Sequence, residues 1–291
     1  MTTGSVTANA GVNIQGGTVN VGNITAAAGN VTVNAGTSKA SLQGVTASKG
    51  NIQVSGKGVS VTGTLSAGAS GTGGSISISA GTGSASLKNM NARANVTITA
   101  TGVTDSSLIS ANAVTVSGGT GNIALVTKTA SLTLNSGANV NLNDTAETGA
   151  ATLAFGSGNF GNVTANFGGA ATLTSGLSAN SLALSAAGAL NLGSMPITLT
   201  GGAALTGAGV TGTGLLSANA VTVSAGTGNI SLVTKTGSLT LNSGATVNVD
   251  DTAQTGATTL AFGGGTFGDI TGHFGGNVNL ASGVSGQPGP Q

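Results

Sequence analysis

Short runs in which apolar and polar residues alternate recur along this chain at nearly regular intervals. Six such triplets begin at Val31, Ile52, Ile76, Val96, Val114 and Leu132, with steps of 21, 24, 20, 18 and 18 residues. Further triplets lie between them, such as Val19-Asn20-Val21 and Val59-Ser60-Val61. Gly, Asn or Ser stands at their ends, which is typical of short strands bounded by tight turns.

Several short strands within each step do not fit an ordinary antiparallel sheet. The Asn-Gly and Asp-Gly pairs that favour two-residue hairpins are absent, and the order is Gly-Asn instead. A coil that pairs in parallel with its neighbours, and points Val, Ile and Leu inward into columns, accounts for the whole pattern. The sequence therefore predicts an all-β fold, a right-handed parallel β-helix (β-solenoid) of about 14 coils of roughly 20 residues.

The composition agrees with such a fold and excludes several others. Charged residues make up 4% of the chain, against about 25% in typical domains, so Asn, Ser and Thr must cover the surface. The hydrophobic residues, 38% of the total, alternate with polar ones, which argues against disorder. A net charge of +1 does not suggest a nucleic-acid partner. No apolar run approaches the roughly 20 residues of a membrane span.

A long duplication divides the chain. Residues 110–176 align without gaps to residues 217–283 at an offset of 107, and 49 of these 67 positions are identical. We predict a basic segment of short repeats at 1–101, a first long repeat at 102–208, a truncated second repeat at 209–285, and a tail or linker at 286–291. The basic segment holds five basic residues and no acid: Lys39, Lys49, Lys57, Lys88 and Arg93.

Several segments resemble the shaft repeats of filamentous haemagglutinin-like adhesins, the large exoproteins of Gram-negative bacteria. They are GNVTVNAG (29–36), GNIQVSGKGVSVTG (50–63), ANVTITATG (94–102) and SLTLNSGANVNLN (131–143). The resemblance covers nearly the whole chain, although its motifs are degenerate. It implies a right-handed β-helical shaft, export by two-partner secretion and display at the cell surface. The secretion domain of that family is not evident in these residues.

Residues able to perform chemistry are few. The single histidine, His273, is replaced by Asn166 in the first repeat, so we expect an exposed loop residue rather than a catalytic base. The acids concentrate in NLNDTAETG (141–149) and NVDDTAQTG (248–256), where a solvated loop or capped turn is favoured over a weak Ca²⁺ site. The six phenylalanines are expected to fill the interior. We predict no catalytic, cofactor-binding or metal-binding residue, no cofactor and no enzymatic activity.

The function expected from these features is that of a stiff spacer in the shaft of a secreted surface adhesin. The expected location is extracellular or at the bacterial surface, with weak contacts to host cells, matrix or glycans, and lateral or end-to-end self-association as further expectations. One alternative is an ice-binding solenoid, based on five Thr-x-Thr pairs that begin at Thr97, Thr127, Thr198, Thr211 and Thr234. A carbohydrate-active β-helix enzyme is a third hypothesis, which the small number of acids disfavours.

Overall fold

The computed structural model describes residues 2–71 and 73–282, and within them every regular element is a β-strand. The tail predicted at 286–291 lies outside these residues. The chain divides into an N-terminal unit, Met1–Ala146, and a C-terminal unit, Glu147–Gln291. The repeat boundaries inferred from the sequence stay predictions.

The strands of the N-terminal unit are β1 (Thr2–Thr3), β2 (Val6–Ala8), β3 (Val12–Gln15), β4 (Val19–Ala26), β5 (Val31–Asn34), β6 (Ala40–Ala47), β7 (Ile52–Ser55), β8 (Val59–Val61), β9 (Leu65–Ala67), β10 (Ile76–Ser79), β11 (Ala85–Leu87), β12 (Met90–Ala92), β13 (Asn95–Thr99), β14 (Val103–Ser110), β15 (Ala113–Ser117), β16 (Ile123–Lys128), β17 (Ser131–Ser136) and β18 (Val140–Asp144). Those of the C-terminal unit are β19 (Ala151–Phe155), β20 (Asn159–Phe167), β21 (Ala171–Leu173), β22 (Leu177–Ala186), β23 (Leu190–Asn191), β24 (Ile197–Leu199), β25 (Gly202–Thr206), β26 (Val210–Ser224), β27 (Ile230–Ser243), β28 (Val247–Asp251), β29 (Thr258–Phe262), β30 (Ile270–Phe274) and β31 (Val278–Leu280).

The N-terminal unit is built from three inward columns, because each strand pairs in parallel with the equivalent strands of adjacent turns. The six triplets recognised in the sequence lie directly on one another in the first column, which confirms the predicted stacking. The first column is Val12, Val31, Ile52, Ile76, Val96, Val114 and Leu132. The second is Val19, Ala40, Val59, Ala85, Val103, Ile123 and Val140. The third is Val6, Ile24, Val45, Leu65, Met90, Ile109 and Thr127.

The C-terminal unit has the same plan. Its first column is Ala151, Ala171, Leu190, Val210, Ile230, Val247 and Ile270. Its second is Val163, Leu182, Ala203, Val221, Leu239, Leu260 and Leu280, and a third joins Leu177, Ile197, Leu216 and Thr234. The seven members of the second column in each unit correspond to about 14 turns, so the predicted all-β parallel solenoid is confirmed.

The 107-residue repeat is not a whole number of turns. Val163 and Ile270 are equivalent positions of the two copies, yet Val163 lies in the second column and Ile270 in the first. Five turns after Val163 its column reaches Leu260, ten residues short of Ile270. One repeat therefore spans about five and a half turns, and Val163 and Ile270 lie in different columns.

Glycine is required at one corner that both copies share. Gly119 and Gly226 have φ values of 54° and 55°, in the left-handed region that other residues rarely adopt. Two residues later, a Cβ added to Gly121 or Gly228 would overlap a backbone carbonyl of the preceding turn. This is why the Gly-Thr-Gly-Asn sequence recurs between strands.

Candidate functional surface

The outward strand face beside the first column of the N-terminal unit carries uncharged polar side chains. The row beside the first column consists of Asn13, Thr32, Gln53, Ser77, Thr97, Thr115 and Thr133, each paired with the next across one turn. These residues alternate with inward aliphatic ones, as in β13, where Asn95, Thr97 and Thr99 are exposed. Hydroxyl and amide groups, rather than charges, therefore bind water on this surface.

The basic residues of the predicted basic segment are confined to turns. The side chains of Lys39, Lys49, Lys57, Lys88 and Arg93 are exposed, and all five lie outside the strands. The Arg93 guanidinium donates a hydrogen bond from Nη1 to the carbonyl of Gly71, at 2.6 Å. Positive charge thus borders the strand faces of this segment instead of covering them.

The acidic clusters of the two copies differ from the solvated loop that the sequence favoured. The Asp144 side chain is 1% exposed, and its Oδ1 accepts hydrogen bonds from Thr127 Oγ1 at 2.6 Å and Thr129 N at 3.2 Å. The expectation of solvation is wrong for this residue. The two threonines continue the inward face of β16, so they supply buried donors that satisfy the carboxylate.

The second copy forms a corresponding network around Asp251. Asp251 is fully buried, and its Oδ1 accepts from Thr234 Oγ1 at 2.8 Å and Thr236 N at 3.1 Å. Its Oδ2 accepts from Thr258 Oγ1 at 2.8 Å. The expected solvation is wrong here as well. This buried network therefore ties two adjacent turns together, because Thr234 and Thr236 lie on one turn and Asp251 and Thr258 on the next.

The neighbouring acids do form the capped turns that were expected. The Asp250 carboxylate accepts from Thr252 Oγ1 at 2.6 Å and Thr252 N at 3.0 Å, and these hydrogen bonds lower the pKa of Asp250. Glu147 Oε1 accepts from Gly149 N at 2.9 Å. Both carboxylates therefore stabilise local backbone in turns.

Two further candidates, His273 and Asp269, have exposed side chains near the end of the described residues. His273 is exposed as expected, but it lies in strand β30 and not in the loop that was expected. Across residues 2–71 and 73–282, no group of three or more His, Cys, Asp or Glu side chains could hold a metal ion. In the same residues, no helix is long and apolar enough to cross a bilayer.

The phenylalanines are interior residues in the first copy. Phe155, Phe160 and Phe167 are each about 5% exposed or less, and the rings of Phe155 and Phe160 make an edge-to-face contact with centroids 5.2 Å apart. The equivalent rings of Phe262 and Phe267 are 5.3 Å apart but only half-buried. The interior position expected for these residues is therefore confirmed for the first set.

The Thr-x-Thr pairs do not form one surface. Those beginning at Thr97, Thr198 and Thr211 are exposed, whereas those beginning at Thr127 and Thr234 point inward and bind the buried aspartates. The hydroxyl groups of the inward pairs are therefore enclosed and do not face solvent.

No protein-family model matches the chain, and it has no match among the curated proteins or the solved structures.

Proposed function

We propose that this chain is a segment of the shaft of a large secreted bacterial surface adhesin, where it acts as a stiff spacer. The observation that supports the proposal most is the continuity of the aliphatic columns within each unit. Each interior turn is packed against the turn before and the turn after it, as at Ile98, which lies between Ile78 and Val116 and is fully buried. Length is added to such a structure turn by turn, without a new core.

The outward chemistry supports the same proposal. Uncharged hydroxyl and amide rows bind water without strong electrostatic attraction to other macromolecules. Weak contacts with matrix, host cells or glycans are compatible with such a surface, and the exposed basic turns add sites for acidic partners. The resemblance of segments 29–36, 50–63, 94–102 and 131–143 to adhesin shaft repeats supports surface display.

The proposal is tested by changing the number of repeats. A chain with one additional 107-residue repeat, joined at equivalent positions, is compared with the original chain by negative-stain electron microscopy and small-angle scattering. Five and a half turns at about 4.8 Å per turn predict about 26 Å of added length at constant width. The control carries a scrambled insert of the same composition. An increase in width instead of length would overturn the spacer function.

The surface location has its own test. An epitope placed in the turn at Lys57, on a chain expressed with its native flanking sequence, is expected to react with antibody on intact Gram-negative cells. Reaction only after lysis would contradict surface display.

Measurable thermal hysteresis would favour the ice-binding hypothesis, and depolymerisation of a common polysaccharide would favour the hypothesis of a carbohydrate-active enzyme.

A further inference from the structure

Strand β14 contains two more residues than strand β16, with which it pairs along its length. Thr104 pairs with Ala124 and Leu108 with Val126, so residues 105–107 bulge out of the ladder with β16. The second repeat has the same irregularity, where Gly212 pairs with Leu232 and Leu215 with Val233. The bulge is therefore a property of the repeat.

The two copies differ in the side chain that the bulge places inside. Asp105 lies two residues after the buried Val103 and pairs with Leu87, and it is itself 5% exposed. The equivalent residue in the second repeat is Gly212. Because the fold accommodates glycine at this point, the bulge does not require a carboxyl group. The first copy therefore carries an ionisable group that its counterpart lacks.

The carboxyl group of Asp105 is only half satisfied. Its Oδ1 accepts a hydrogen bond from Ser107 N at 3.0 Å. Its Oδ2 is buried and has no hydrogen-bond partner among the residues that the structure describes. A buried carboxylate oxygen without a donor is costly, and protonation removes most of that cost.

Charged neighbours do not compensate. The strands that pair with β14 are β11, β12 and β16, and the charged residues at or beside their ends are Lys88, Arg93 and Lys128. All three side chains are exposed at the surface. Burial therefore dominates and raises the pKa of Asp105 to about 7, against a smaller opposing effect of the Ser107 hydrogen bond.

We propose that the bulge at residues 105–107 is a pH-sensitive opening point of the solenoid. Its carboxyl group packs inside the turn when neutral and moves to solvent when ionised, which loosens the backbone between Thr104 and Leu108. The second repeat, with Gly212, lacks this response. The device is independent of the spacer function.

The direction in which pH changes the folding stability follows from the number of protons that the folded and unfolded states bind. The Asp105 pKa in the folded chain, about 7, exceeds its ordinary value of 3.8, so the folded state binds more protons between these values. The contribution of protonated Asp105 to the stability of the folded chain is complete below about pH 4, decreases as pH rises, and is lost once pH exceeds about 7. For this site the folding equilibrium constant falls by up to about tenfold per pH unit within that window.

Hydrogen–deuterium exchange on the whole chain tests the proposal, because the second repeat provides an internal control. Protection of the 103–110 segment, corrected for intrinsic exchange and relative to the 210–217 segment, is compared at pH 5 and pH 8. We expect a relative loss of at least about tenfold at pH 8. Equal relative protection at both pH values would overturn the proposal.

Two variants separate ionisation from packing. Asp105→Asn keeps the shape without the ionisable group, and Asp105→Gly reproduces the second repeat. Both are expected to abolish the pH response of the 103–110 segment. If Asp105→Asn disturbs folding, the glycine variant decides the question. A pH response that persists in a folded variant would overturn the proposal.

Discussion

Replacement of Asp251 measures how much the buried threonine–aspartate network stabilises its turn. The Asp251→Ala substitution removes the acceptor for Thr234 Oγ1 and for the backbone N–H of Thr236. Thr258 keeps a partner, because its hydroxyl group also bonds the Thr236 carbonyl at 3.1 Å. Two buried donors are therefore left without acceptors, at about 1–3 kcal/mol each, so we expect a loss of about 2–6 kcal/mol of unfolding free energy.

The Asp251→Asn substitution distinguishes hydrogen bonding from negative charge. An asparagine Oδ1 still accepts from Thr234 and Thr236, and its Nδ2 donates to Thr258 Oγ1, so most of the stability should be retained. Urea denaturation followed by circular dichroism measures both variants. Asp250→Ala is the matched control: it removes an adjacent carboxylate whose hydrogen bonds to Thr252 lie at the surface, so it should lower the midpoint much less than Asp251→Ala does. Equal losses for Asp251→Asn and Asp251→Ala would refute the argument.

Three further predictions concern the columns, the rings and the corner. Ile98→Ala should destabilise the chain by about 2–5 kcal/mol in urea denaturation, whereas the exposed Thr97→Ala should change it by less than about 0.5; similar effects would contradict the inward column. Phe160→Ala should lower the thermal midpoint more than Phe267→Ala, because only the first ring is fully buried, and the reverse order in calorimetry would refute that difference. Gly121→Ala should reduce the yield of folded protein on refolding, since its Cβ would overlap the preceding turn; wild-type yield would show that the turns separate readily.

The columns were predictable because alternation and step length are both visible in the sequence. The triplets at Val96 and Val114 needed only a parallel register to become neighbours, and the structure has that register. Short parallel strands with inward aliphatic residues leave few other arrangements. The fold class therefore follows from pattern alone.

The buried acids were missed because charged residues are normally expected at the surface. The signal was nevertheless present, since alternation continues beyond the last apolar residue of each strand. Asp144 has the same parity as Val140 and Leu142, and Asp251 the same as Val247. Counting parity through the polar end of a strand would have placed these carboxyl groups inside.

The number of turns in the repeat could not be predicted from its length. Turns vary from 18 to 24 residues within one column, as between Ile52 and Ile76 or Val96 and Val114. Over the turns of one 107-residue repeat, this variation in turn length adds up to more residues than a half turn contains. The strand pairing was needed to show that equivalent residues such as Val163 and Ile270 lie in different columns.

The half-integral repeat affects how such a chain evolves. Within the C-terminal unit, equivalent residues such as Val163 and Ile270 lie in different columns, so the copy of a surface residue is carried beside a different column. A surface feature that spreads by copying is therefore not repeated in the same structural surroundings. Selection on the two copies can then diverge, as Asp105 and Gly212 already have.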